Sequence, residues 1–114
     1  MNIESLREYC LSLPHVTEDV KWGADICFSI GGKMFCVSGF DTPLHASLKV
    51  NDEEFDEMSQ RTGFRPAPYL ARYKWVLISA GEAALSDKQW KHHINQSYEL
   101  IKSKLPKKIL KELK

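Results

Sequence analysis

The sequence has no apolar run approaching the ~18 residues of a membrane span. Its opening, Met1-Asn2-Ile3-Glu4, lacks the basic and then apolar regions of an export signal. A soluble, cytoplasmic protein is expected. Cysteine is scarce: Cys10, Cys27 and Cys36 form no CxxC pair and no metal-ligand spacing. That argues against a disulfide scaffold or a zinc site and points to reduced thiols in the core. Glycine-rich phosphate loops are missing too, as are G-x-S-x-G and H-E-x-x-H. None of His15, His45, His92 and His93 stands in a nucleophile motif. Neighbours on a helix point about 100° apart, so His92 and His93 are read as solvent-facing, not as ligands of one ion. Neither a catalytic site nor a cofactor is expected.

What is present fits one domain over residues 1–114. A chain of this size buries roughly two thirds of its unfolded surface, enough for one core without staples. The net charge of +1 conceals a polarity. Residues 1–60 carry 4 basic and 11 acidic side chains, whereas residues 61–114 carry 12 basic and 4 acidic. Such a division matters for partners only if folding keeps the two signs on different surfaces.

Asn2 is placed to cap a first helix with Ile3, Leu6, Cys10 and Leu13 on one stripe, and Pro14 stops it. A polar stretch follows. Two apolar runs, 26–30 and 33–37, then flank Gly31-Gly32, the signature of a two-residue hairpin turn. A regular ladder would set Ile30 opposite Lys33, Phe28 opposite Phe35 and Cys27 opposite Cys36. Ile26, Phe28, Phe35 and Val37 would then face the core. A third strand is expected over His45–Val50, then a short helix capped by Asn51 with Glu54 in a capping-box position and Phe55 and Met58 inward. Pro66 and Pro68 make 64–73 irregular, and 75–78 reads as a buried strand. Ser86 and Gln89 form a capping box for the longest helix, which buries Trp90, Ile94, Ser97 or Tyr98, Ile101 and Leu105. Pro106 opens a final short helix. This order predicts an α+β fold of two layers, an antiparallel sheet with helices on one face.

Three charged segments remain. The acidic run Asp52, Glu53, Glu54, Asp56 and Glu57 offers oxygen ligands for a hard cation, but it reads first as a helix start complementing its dipole. Residues 61–81 contain no acid and interleave Arg61, Arg65, Arg72 and Lys74 with Phe64, Tyr69, Tyr73 and Trp75. Cations neutralise phosphates and aromatic faces stack on bases, although Trp75 is equally a core residue of its strand. Lys102, Lys104, Lys107, Lys108, Lys111 and Lys114 form a second basic group, also suited to helix C-termini.

Leu13-Pro14, Thr17-Glu18, Trp22-Gly23, Gly31-Gly32-Lys33-Met34-Phe35, Ser47-Leu48-Lys49, Arg65-Pro66, Tyr69 through Lys74-Trp75, Ser97-Tyr98 and Leu105-Pro106-Lys107-Lys108 together resemble the MmcQ/YjbR family of small bacterial proteins. The resemblance implies a frataxin-like, or CyaY-like, α+β sandwich. It also implies DNA binding through a double-wing arrangement, a function attached largely to fold, which does not by itself fix function. The expected activity is weak, sequence-tolerant, non-enzymatic DNA binding. Its candidate residues are Lys33, Arg65, Arg72 and Lys74 for phosphates, with Tyr69 and Tyr73 for stacking. The rivals are a protein-interaction adaptor using the same patch and, behind it, a frataxin-like metal domain using the acidic run.

Overall fold

A computed structural model describes residues 1–113, so the terminal Lys114 lies outside the described residues. The chain forms α1 (Ile3–Ser12), β1 (Val16–Lys21), β2 (Asp25–Ile30), β3 (Lys33–Ser38) and β4 (His45–Lys49). These are followed by α2 (Phe55–Met58), β5 (Phe64–Pro66), a single 3₁₀ turn at Ala71–Tyr73, β6 (Trp75–Ser79), α3 (Asp87–Ser103) and α4 (Lys107–Glu112). The six strands make one antiparallel sheet in the order β1-β2-β3-β4-β6-β5. The α+β architecture anticipated from the sequence is present, with two strands more than anticipated.

Both additions are edge strands. β1 is the polar stretch Val16–Lys21, exposed over Thr17 to Val20. β5 runs into Pro66, which has no N–H to donate and is tolerated where the sheet ends.

One face of the sheet carries the helices. α3 lies across β2, β3 and β4, and α1 lies on β1. Phe28, Leu48, Val76, Ile78, Trp90, Ile94 and Tyr98 are at most 2% exposed and fill the space between. Both long helices start as their caps require. Asn2 accepts from Ser5 N, and the Ser86 and Gln89 side chains each bond the other's backbone N–H.

The β2–β3 hairpin departs from the regular ladder. Ile30 faces Lys33 and Ser29 faces Met34, but Phe28 then faces Cys36 and Cys27 faces Val37. β3 therefore supplies one extra residue, Phe35, at a bulge. Phe28 and Phe35 are both fully buried, though they are not partners. Beyond the bulge the alternation inverts, bringing Cys36 to the core face and Val37 to the other. Cys27 and Cys36 consequently do not pair, and all three cysteines are free and buried. Hydrogen bonding with Cys10 and burial push the Cys36 thiol well above its ordinary value.

Ser97 holds the bulge in place. Its hydroxyl donates to Phe35 O (2.6 Å) and accepts from Lys49 N (3.0 Å), so one buried side chain of α3 satisfies a backbone group on each of β3 and β4.

The middle helix is shorter than expected. α2 begins at Phe55 and its cap residue Glu54 makes no side-chain cap bond, while Asn51 donates to Glu54 Oε1 (2.7 Å) across a turn. Phe55 and Met58 are buried as anticipated. Gly63 stands in the turn into β5 at φ +83, where an added Cβ would lie 2.3 Å from Ala83 N.

Candidate nucleic-acid interface

The antiparallel ladder gathers the start of β3, the end of β4 and the start of β6 at one end of the sheet. Lys33, Lys49 and Lys74 therefore share that end. The C-terminus of α3 arrives there too, because Leu105 and Ile109 side chains press on Gly31 at the hairpin tip. Lys49 is only 6% exposed and its Nζ donates to Tyr73 O (2.6 Å). Burial holds its pKa below the ordinary lysine value, the charge of Lys104 acts in the same direction, and Asp52 opposes them, with Lys74 adding a smaller lowering push.

The six candidate residues do not form one patch. Arg72 and Tyr73 sit on the 3₁₀ turn at the basic strand end, with the Arg72 guanidinium 4.8 Å from the Tyr73 ring centroid and bonded to its hydroxyl. Lys74 follows in a left-handed conformation (φ 65) and sends its ammonium 5.0 Å from the Phe55 ring of α2. Lys33 is exposed at the hairpin end. Arg65 and Tyr69 belong elsewhere, to a trough of about 700 Å³ on the sheet face away from α3. Trp75 is core, 5% exposed. Lys49 was missed as a candidate because the sequence alone does not show that its strand ends beside Lys74 and Lys104. The run Ser47-Leu48-Lys49 was its only signal.

Met34 and Val37 of β3, Ser47 of β4 and Leu77 of β6 floor the trough, and Arg65 and Tyr69 rim it on the β5 side. Trp22, from the β1–β2 turn, rims it on the opposite side with Asp25, while Asp41 comes from the β3–β4 connection and His45 from the start of β4. His45 Nδ1 donates to Pro43 O (2.9 Å), leaving Nε2 free. Among the described residues Arg61 is tied to Glu57 (2.9 Å), whereas no ion pair involves Arg65 or Arg72.

His93 also departs from expectation. It is half-buried, its ring stands edge-on to Phe64 at 5.8 Å, and His92 lies 5.6 Å away. The acidic run is dispersed. Glu57 pairs with Arg61, Glu54 accepts from Asn51 and from Gln96 (3.3 Å), and Asp52, Glu53 and Asp56 are exposed. Among the described residues no three His, Cys, Asp or Glu side chains come together as metal ligands, and no helix is long and apolar enough to cross a membrane.

The YjbR family model matches residues 11–100. The chain belongs to the YjbR family. A YjbR-type relative of known structure, a Deinococcus radiodurans protein with a DUF419 domain, superposes with a TM-score of 0.86 at 25% identity, over 98% of this chain and 87% of that one. A Pseudomonas syringae protein shares the fold with a TM-score of 0.74 at 18% identity, over 89% of this chain and 99% of that one. No curated protein matches the sequence.

Proposed function

We propose that this YjbR-family chain is a non-enzymatic, cytoplasmic DNA-binding domain that holds the phosphate backbone at the basic end of its sheet. The observation that carries the reading is the gathering of Lys33, Lys49, Lys74 and Lys104 at one strand end, beside the unpaired Arg72. Lys33, Arg72, Lys74 and Lys104 can replace counterions on phosphates, while the buried Lys49 adds only its field, and the exposed Tyr73 supplies an aromatic face beside them. Backbone contacts carry no sequence information, so binding is sequence-tolerant, with a dissociation constant of roughly 10⁻⁴ to 10⁻⁶ M at physiological salt.

Fluorescence anisotropy of labelled duplex and single-stranded DNA at low salt tests this. The double variant Arg72→Ala/Lys74→Asn removes two cations, with asparagine chosen because it tolerates the left-handed backbone of position 74. Weaker binding by the variant, with circular dichroism unchanged, is the expected result. No anisotropy change from wild type at protein concentrations of about 100 μM, the upper end of that affinity range, would overturn the assignment. An adaptor that docks a protein through the exposed Tyr73 at this strand end would then take its place.

A further inference from the structure

We propose that the trough on the open sheet face is a nucleotide site, taking one planar base between Trp22 and Tyr69 and one phosphate on Arg65. This goes beyond the backbone reading above, since a phosphate grip at the strand end requires no base pocket. The volume of about 700 Å³ lies within the usual range for small-ligand sites.

Its two aromatic rims come from opposite edges of the sheet, Trp22 from the β1–β2 turn and Tyr69 from the segment after β5. They are the most exposed large apolar side chains among the described residues, 69% and 98%. Both stand at positive φ, 54 and 66, a costly conformation for a bulky side chain. Two aromatic residues held in an unfavourable backbone geometry, contributing little to the core, flank an apolar floor of Met34, Val37 and Leu77. That arrangement suits a flat ring, which stacks a face on a rim aromatic and sets an edge against the floor.

The polar groups narrow the ligand further. Arg65 projects beside Leu77 without a carboxylate partner, and its guanidinium fork matches a phosphate. Asp25 and Asp41 accept from ring N–H or exocyclic amino groups and repel additional phosphates, so the fit is to a monophosphate unit and not to a triphosphate. A purely apolar ligand would leave these three charges unanswered.

Trp22 itself reports occupancy, because Trp75 and Trp90 are buried at 5% and 1% exposure. Its emission is followed during titration with adenosine and thymidine monophosphates, with a single-stranded oligonucleotide, and with an abasic strand of the same length. Base-bearing ligands should quench it saturably, and Trp22→Phe should abolish the signal. Tyr69→Gly, which relieves the backbone and removes the ring, should weaken binding about tenfold by loss of stacking. Arg65→Gln should weaken mononucleotides while leaving the unphosphorylated nucleosides unchanged.

Quenching by free mononucleotides identifies a free nucleotide as the ligand. Quenching by the oligonucleotide alone identifies a base within a strand. Equal quenching by the abasic strand overturns the proposal, as does none from any ligand up to about 10 mM, ten times the dissociation constant of a millimolar site. Duplex anisotropy that persists in Tyr69→Gly but fails in Arg72→Ala/Lys74→Asn would leave the strand-end reading standing whatever the trough does.

Discussion

His93 joins burial to ionisation. Desolvation by its surroundings, then the charges of His92 and Arg61, hold its imidazole below the ordinary 6.5, with only Glu54 pulling the other way. Its Nδ1 is buried without a hydrogen-bond partner. The folded state thus keeps His93 neutral where the unfolded chain would already be taking up a proton. Between 6.5 and the lower folded value the unfolded state binds more protons, so stability rises with pH across that window. We expect the urea midpoint to be level above about pH 7 and to fall as pH drops through about 6.5, the unfolded histidine value. His93→Gln should flatten this step. A wild-type midpoint unchanged down to pH 5.5 would contradict it. Acid loss at Glu18 and Glu54 is separate. Their carboxyls are lowered by Arg7 and by Asn51 respectively, so what they contribute is present above 4.5 and lost below it. The half-buried state of His93 could not be read from its position beside His92, because Phe64, the residue that covers it, is remote in sequence.

At the level of elements, Ser97 joins α3 to the sheet. Ser97→Ala would leave Phe35 O and Lys49 N buried and unpaired, at a cost of about 1–3 kcal/mol for each group. Chemical denaturation should therefore show a loss of at least 1 kcal/mol. Ser103→Ala removes an exposed hydroxyl bonded only within its own helix, to Leu100 O, and should be close to neutral. Equal effects would show that the Ser97 bridge contributes nothing. α1 and α3 were legible because their signals are local: a cap, an apolar stripe and a stop within one segment. The bulge at Phe35 was not, because a ladder drawn from Gly31-Gly32 alone assumes even spacing. The extra residue is held by Ser97, 62 positions away. β1 was hidden by Thr17, Glu18 and Asp19, polar residues that an edge strand tolerates and that carry no alternating pattern. β5 was hidden by Pro66, a breaker elsewhere and acceptable at an edge.

For the molecule as a whole, the near-neutral net charge means that attraction to a polyanion must come from one region. The antiparallel order supplies that region, because it stacks strand ends from distant parts of the chain. Lys33 and Lys49 belong to the acidic half of the sequence, yet they sit with Lys74 and Lys104 from the basic half. Residue counts along the chain could not reveal this grouping, and they joined Arg65 and Tyr69 to Arg72 through proximity in sequence when the fold separates them. Three or four phosphate contacts at such an end give a log–log salt slope of about −3 to −4 on duplex DNA. Affinity should then fall about a hundredfold between 50 and 200 mM salt. The slope should become shallower by about two units in Arg72→Ala/Lys74→Asn. A slope near zero would mean that phosphates are not what the strand end holds.

The polar strand that escaped the sequence reading also governs how copies of the chain meet. β1 ends the sheet on one side with Glu18 and Asp19 in its middle, and β5 ends it on the other with only three residues, the last a proline. If two copies zipped together along β1 in antiparallel register, Glu18 of one would face Asp19 of the other, and like charges directly opposite repel. Against β5 an incoming strand would find few backbone groups to pair with. In that register neither margin favours strand addition, so concentrated solutions should remain clear of fibrils.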